Sequence, residues 1–130
     1  MLAYFLLLLG IVARLLPHPP NFAPIAAIAI FGGLYLRRRE AIALPLVAMC
    51  ASDLILGFYE WQIMASVYLS FAATGIVARA VRRRKNFLTI LGGTLAGSLI
   101  FFVTTNAAVW AWSGMYPATF GGLVTSYLNA

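Results

Sequence analysis

Two charged residues lie inside apolar segments of the sequence, where an ionised side chain needs either a partner or a function. Arg14 lies near the end of the first apolar run, and Asp53 lies within the third. A charge within a membrane-spanning segment is a candidate functional residue by default, because its transfer into hydrocarbon is costly. The two residues are expected at a similar depth, so they can pair with each other, or each can face a wet cavity.

Further polar and aromatic side chains are expected at the same level. Residues 17–24 contain four prolines, which fix the backbone and remove N–H donors, so this loop can hold His18 and Asn21 in place. Asn106 and Trp110 are four residues apart on one helical face, and Tyr116 follows in the next loop. Together these positions predict one substrate-binding site, whose members are Arg14, His18, Asn21, Asp53, Asn106, Trp110 and Tyr116.

Most of these residues also have a purely structural interpretation, which the sequence leaves open. Arg14 can be an anchor that snorkels to the interface, and Trp110 can belong to the aromatic belt of a membrane protein. Asn106 can cross-link two helices, and His18 can be a solvated turn residue. Asp53 is the hardest to explain in this way, and its structural alternative is an ion pair with Arg14.

The sequence contains no pattern typical of a catalytic centre. It has one histidine and one cysteine, and its glycine-rich stretch 92–97 lies within an apolar run, so that stretch is not a phosphate loop. We therefore predict no enzyme, no catalytic residues, no metal site and no cofactor. A weaker option stays open, an intramembrane enzyme or a metal carrier that uses His18, Asp53 or Cys50. One thiol and one imidazole nevertheless fall short of a metal-ligand set.

The composition defines the elements that must position these residues. Of the 130 residues, 63% are hydrophobic and 9% are charged, and the mean hydropathy is +0.94. Soluble domains carry about 25% charged residues, so this composition excludes a soluble globular protein. The net charge of +6 is clustered within an otherwise apolar chain, so we expect no nucleic-acid partner. The remaining class is a helical integral membrane protein, whose environment is the lipid bilayer.

Apolar runs divide the chain into five predicted membrane spans within a single integral membrane domain, 1–130. A span needs about 20 residues, with a range of about 17–25. The spans are expected at approximately 1–16, 22–36, 41–59, 63–81 and 87–112. The first lacks a basic start and a small-x-small cleavage site, so it is predicted to be a retained helix rather than a signal peptide. The predicted fold class is all-α, a polytopic membrane helical bundle.

Residues 113–130 are expected to form an outer loop and the start of a further segment. That segment is too short to cross a bilayer, which favours a chain that is part of a longer protein.

Two clusters of basic residues predict the orientation of the bundle. Residues 37–39 and 82–85 hold seven of the nine cations, and they fall between spans two and three and between spans four and five. Connections rich in Lys and Arg lie on the cytoplasmic side. We therefore expect a multi-pass protein of the bacterial cytoplasmic (inner) membrane with a cytoplasmic N-terminus. The candidate site then lies near the outer face.

Small residues recur at four-residue spacing in several of the predicted spans. This spacing lets membrane helices approach closely, so it predicts helix–helix contacts rather than a ligand site. The positions are Ala29 and Gly33, Ala48 and Ser52, Ser70 with Thr74 and Ala78, and Gly93 with Gly97.

Several motifs give the chain a resemblance to a known family. The most specific is residues 14–24, RLLPHPPNFAP, which is joined by 52–58, 105–110, 115–117 and 122–123. Together they resemble a family of small, uncharacterised bacterial multi-pass membrane proteins, and the resemblance covers nearly the whole chain. That family is similar to the S components, the substrate-binding subunits of energy-coupling-factor transporters. The resemblance implies an S-component-like six-helix bundle that here lacks its last helix.

The resemblance also implies a function and partners. S components bind a vitamin or a metal ion near the outer face and associate with a transmembrane coupling protein and ATPase subunits. We therefore expect a membrane-embedded substrate-binding subunit of an uptake transporter for a small-molecule ligand, vitamin-like or metal. The alternative is a non-transporting membrane scaffold protein of a cell-envelope or cell-shape complex.

Overall fold

The computed structural model describes residues 1–17, 24–84 and 86–130 of the chain. These residues form six α-helices and no β-strand, which confirms the predicted all-α class. The helices in chain order are α1 (Leu2–Leu15), α2 (Pro24–Tyr35), α3 (Arg38–Leu56), α4 (Trp61–Val81), α5 (Phe87–Trp112) and α6 (Phe120–Leu128).

The third helix is displaced by three residues from the apolar run 41–59 that the sequence indicates. It begins at Arg38 because Glu40, in its first turn, accepts the backbone N–H of Arg37 at 3.2 Å. It ends at Leu56 because Gly57 has a φ of 97°, a conformation that favours glycine. Charged side chains therefore belong to the start of this helix, although hydropathy assigns them to a connection.

Helices α5 and α6 begin at side-chain caps. The Asn86 side chain accepts the backbone N–H of Thr89 at 2.8 Å, and α5 then occupies the whole apolar run 87–112. Thr119 accepts the N–H of Gly122 at 3.1 Å and starts α6. The segment expected as an outer loop and the start of a further element thus contains a nine-residue helix.

Two helices of the described residues, α4 and α5, are long and apolar enough to cross a membrane, against five spans expected. The helical parts of α1 and α2 have 14 and 12 residues. Their lengths are about 21 and 18 Å, less than the roughly 30 Å of a bilayer core. Helix α3 has 19 residues, but it includes three charged residues in its first turn and Asp53 near its end.

The helix directions divide the molecule into two ends. The C-terminal parts of α1 and α3 meet, because the Arg14 side chain reaches α3 near its last turn. The C-terminal ends of α2 and α4 meet at the opposite end, where Arg82 Nη1 donates to the Leu36 carbonyl at 2.7 Å. We call the first the site end and the second the arginine end, since the second carries residues 37–39 and 82–84.

Small residues bring these helices close together. The core centres on Ile25 and Ala29 of α2, which pack with Ala48, Met49 and Phe71. A Cβ at Gly33 would collide with Ala78 of α4. All nine positions of the four-residue spacing are buried, which confirms their prediction as helix contacts.

Candidate functional site

An ion pair joins α1 to α3 at the site end. Arg14 Nη2 lies 2.7 Å from Asp53 Oδ1, so the pairing that the sequence left open is present. The Asp53 side chain is 1% exposed, whereas that of Arg14 is 19% exposed. Arg14 belongs to the last turn of α1, and Asp53 lies three residues before the end of α3, so two parallel helices present opposite charges to each other. Arg14, the cation, is therefore the more exposed residue of the pair.

The guanidinium is held by two further groups of α3. Arg14 Nη1 donates to Ser52 Oγ at 2.9 Å and lies 2.8 Å from Met49 Sδ. The Ser52 hydroxyl donates in turn to main-chain carbonyls of its own helix, so its oxygen is free to accept from Arg14. Ser52 and Asp53 lie on the same face of α3 as Met49 because they follow it by three and four residues. Contacts with these three residues therefore fix the orientation of the guanidinium.

A third helix contributes a phenol to the carboxylate. Tyr68 of α4 donates its hydroxyl to Asp53 Oδ2 at 2.8 Å. The other carboxylate oxygen, Oδ1, faces the guanidinium without the alignment of a hydrogen bond, and no other donor among the described residues reaches it. Asp53 is thus neutralised by Arg14 and hydrogen-bonded by Tyr68, as a buried carboxylate must be.

Tyr59 lies beside this network, in the loop between α3 and α4. Partial burial raises the pKa of the Tyr59 phenol, and the negative charge of Asp53 raises it further. The positive charge of Arg14 and a hydrogen bond with it act in the opposite direction. The phenol therefore lies near both charges, and Tyr59 is exposed.

The aromatic and amide residues predicted on α5 lie apart from the ion pair. Asn106 Nδ2 donates to the Phe102 carbonyl of its own helix at 2.8 Å, and Trp110 Nε1 donates to the Pro117 carbonyl at 2.9 Å. Tyr116 is half-buried in the loop between α5 and α6. Within the described ranges, α5 contacts α2, α4 and α6 but neither α1 nor α3.

The structure therefore brings Arg14 and Asp53 together and leaves Asn106, Trp110 and Tyr116 on a different side of the bundle. Trp110 lines a shallow, almost wholly apolar groove of about 550 Å³ between α4 and α5. His18 and Asn21 lie outside the described residues.

Four residues at the ion pair were not predicted from the sequence: Met49, Ser52, Tyr59 and Tyr68. Ser52 and Met49 could have been found, because they precede Asp53 by one and four residues on the same helix. Tyr68 had no distinguishing signal, since it is one of six tyrosines and its partner is 15 residues away.

No three His, Cys, Asp or Glu side chains come together as a metal-ligand group in the part of the chain that the structure describes. Cys50 is exposed, whereas Asp53 is buried, so the two residues do not share a buried surface although they are one turn apart.

Fold and site together define a class. Its features are an all-α fold in the described residues, two helices apolar enough to cross a membrane, and an ion pair between a partly exposed arginine and a buried aspartate that a tyrosine of a third helix also contacts. The chain belongs to a family of unknown function, DUF6580, whose model matches residues 1–130. No curated protein and no solved structure matches the chain.

Proposed function

We propose that this protein is a polytopic membrane protein that serves as the substrate-binding subunit of an uptake transporter, with its solute site at the Arg14–Asp53 pair. The observation that carries the proposal is an ion pair whose anion is buried and whose cation stays partly exposed. Charges at membrane depth are costly, and where they occur they commonly mark the paths and sites of solutes.

The surface of the bundle supports a membrane location. Large apolar side chains such as Phe5, Leu8, Leu95 and Leu99 are exposed on α1 and α5, where a soluble protein would carry polar residues. Helices α4 and α5 supply spans of sufficient length, and α1, α2 and α3 pack beside them to complete the proposed bundle of five.

The charge distribution supports the orientation of this bundle in the bacterial inner membrane. The arginine end carries two clusters of basic residues, and such clusters stay on the cytoplasmic side. The site end, with the Arg14–Asp53 pair, then faces outward. The N-terminus lies in the cytoplasm, because α1 runs from the arginine end to the site end.

The geometry favours a solute that presents an anionic or hydrogen-bond-accepting group. Arg14 has five N–H donors and is the partly exposed member of the pair, so its free donors are the ones that a solute meets. Asp53 and Ser52 fix the plane of the guanidinium, which lowers the ordering cost of binding.

The proposed partners follow from the resemblance to S components. A transmembrane coupling protein and ATPase subunits would supply the energy, which fits a sequence with no phosphate-binding loop of its own. Metal ligation at the pair is not included in the proposal, because the described residues offer it no set of ligands.

One observation favours the alternative, a membrane scaffold without transport. Both carboxylate oxygens of Asp53 already face a partner inside the protein, Arg14 and Tyr68, so the network is complete without a ligand. In that case the pair fixes the packing of α1, α3 and α4, and the functional surface is elsewhere.

The experiment compares the small molecules retained by three forms of the protein. Wild type, Arg14→Lys and Glu60→Gln are purified from native membranes in mild detergent, and bound compounds are released by denaturation and identified by mass spectrometry. Lysine keeps the charge opposite Asp53 but loses the planar fork of donors, so we expect Arg14→Lys to lose the retained compound. Glu60→Gln removes an exposed charge from the loop at the same end and should retain it.

Two results would contradict the proposal. Equal retention in all three forms would remove Arg14 from a solute site. Crosslinking in cells that recovers cell-wall proteins and no transporter ATPases would favour the scaffold instead.

A further inference from the structure

A recess at the arginine end lies on the last two turns of α4. Its volume is about 690 Å³, and the residues that line it are Ile76, Arg79, Ala80, Arg82 and Arg83. Ligand pockets in proteins typically have about 300–1,000 Å³, so the recess is large enough for a small ligand or a lipid headgroup.

The charges of this recess are not neutralised within the described part of the protein. Arg82 is anchored, since its Nη1 donates to the Leu36 carbonyl at 2.7 Å. Arg79 and Arg83 form no hydrogen bond or ion pair with any described residue. Glu40 is the one acidic residue at this end, and it accepts the N–H of Arg37 at the start of α3. Three guanidinium groups thus surround one recess without a carboxylate among its lining residues.

The recess also has an apolar part. Ile76 and Ala80 lie one turn apart on α4, and Ile76 is 57% exposed. Basic residues therefore lie at the end of a helix that is apolar enough to cross a membrane, directly beside an exposed apolar surface. A soluble phosphate compound would use the cations but leave this apolar surface uncovered. A phospholipid carries its phosphate next to its hydrocarbon chains, just as the arginines of α4 lie next to the exposed apolar side chain of Ile76.

We propose that the recess formed by Arg79, Arg82 and Arg83 binds the phosphate of an anionic phospholipid headgroup, whose hydrocarbon part lies against Ile76. The planar donor fork of arginine matches phosphate oxygens two at a time. Basic pockets at the cytoplasmic side of membrane helices are known to hold anionic headgroups. This proposal rests on the membrane location of the proposed function, but it is independent of solute capture at the site end.

The test measures the retention of phosphatidylglycerol and phosphatidylcholine by native mass spectrometry of the full chain released from detergent micelles. The variant R79Q/R83Q removes two cations from the recess, and R38Q/R39Q removes two exposed cations from the same end outside it. We expect wild type to prefer phosphatidylglycerol. The variant R79Q/R83Q should bind it about 25-fold more weakly, about fivefold for each arginine. The control should stay within about twofold of wild type, since its cations do not contact the headgroup.

The single variant R83Q decides the matter if the double variant fails to fold, because Arg83 is exposed and has no described partner. It should weaken phosphatidylglycerol binding about fivefold. Three outcomes would overturn the proposal: equal binding of the two lipids by wild type, equal weakening in R79Q/R83Q and R38Q/R39Q, or displacement of the lipid by inorganic phosphate. Lipid mass is read directly, so a failure of solute binding at Arg14 leaves the result unchanged. Membrane fractionation of the cells that express wild type tests the location on which both proposals depend.

Discussion

Removing Arg14 alone should lower the free energy of unfolding more than removing Arg14 and Asp53 together. Arg14→Met leaves a carboxylate that is 1% exposed, with the Tyr68 phenol as its remaining donor. A buried charge that loses its partner costs about 3–5 kcal/mol of unfolding free energy. Asp53→Asn should cost less, about 1–3 kcal/mol, because the guanidinium left behind is partly exposed and keeps its bonds to Ser52 and Met49.

The double variant Arg14→Met/Asp53→Asn contains no unpaired charge. Its loss should be small, about 0–2 kcal/mol, because neither charge is left without its partner, whereas the two single losses sum to about 4–8 kcal/mol. The pair should therefore show a coupling free energy of at least about 2 kcal/mol, well above the roughly 0.5 kcal/mol within which independent sites add.

The coupling is measured as a double-mutant cycle. The four forms are purified in mild detergent, unfolded by titration with sodium dodecyl sulfate, and followed by tryptophan fluorescence and far-ultraviolet circular dichroism. Glu60→Gln is the matched control and should change the unfolding free energy by no more than about 0.5 kcal/mol. Losses that add within about 0.5 kcal/mol would refute the reasoning, since they would mean that Arg14 and Asp53 do not stabilise each other in the folded protein.

Three further results are expected. Gly33→Ala should lower the unfolding free energy by about 1–3 kcal/mol because the new methyl group collides with α4. Gly92→Ala has free space for its methyl group, so it should be neutral or stabilising by up to about 1 kcal/mol. The same detergent titration checks both variants, and equal effects would contradict the packing described for Gly33. Tyr68→Phe should cost about 1.5–3 kcal/mol, since it removes a hydrogen bond to the ionised Asp53, and a loss below about 0.5 kcal/mol would show that this bond contributes little. The negative charge of Asp53 raises the pKa of Tyr59, so the phenolate of Tyr59 should form at lower pH in Asp53→Asn than in wild type. Ultraviolet difference titration, with Tyr59→Phe as the reference, measures this midpoint. An unchanged midpoint would mean that the charge of Asp53 does not act on Tyr59.

The sequence was sufficient to predict the ion pair as a possibility, because the positions of Arg14 and Asp53 within their apolar runs predict a similar depth for both. Hydropathy fixes where a residue lies along a helix, so Arg14 and Asp53 could be placed at one level. The four-residue spacing of small residues likewise fixes one side of each helix, which is why all nine positions are buried in the structure.

The sequence could not predict which neighbouring helix each side chain faces, even where it predicts how far along its helix the residue lies. The sequence predicts a similar depth for Asn106, Trp110 and Asp53, but α5 packs against α2, α4 and α6 and makes no contact with α1 or α3 in the described residues. Tyr68 was missed for the converse reason, since its contact depends on how α3 and α4 pack. The start of α3 at Arg38 was not predicted, because a hydropathy profile assigns charged residues to connections. The hydrogen bond from the Arg37 N–H to Glu40 instead places Arg38 and Arg39 in the first turn of the helix.

The closeness of the two charges at the site end has an electrical consequence. Moving one elementary charge through the whole membrane potential is worth about 2.3 kcal/mol per 100 mV. Arg14 and Asp53 lie 2.7 Å apart and together carry no net charge, so a movement that keeps them paired transfers no charge through the field. In a protein that spans a membrane as proposed, a site that opens with the pair intact would therefore add no voltage dependence beyond that of the solute's own charge. If opening separates the pair, the occupancy of the site would depend on voltage.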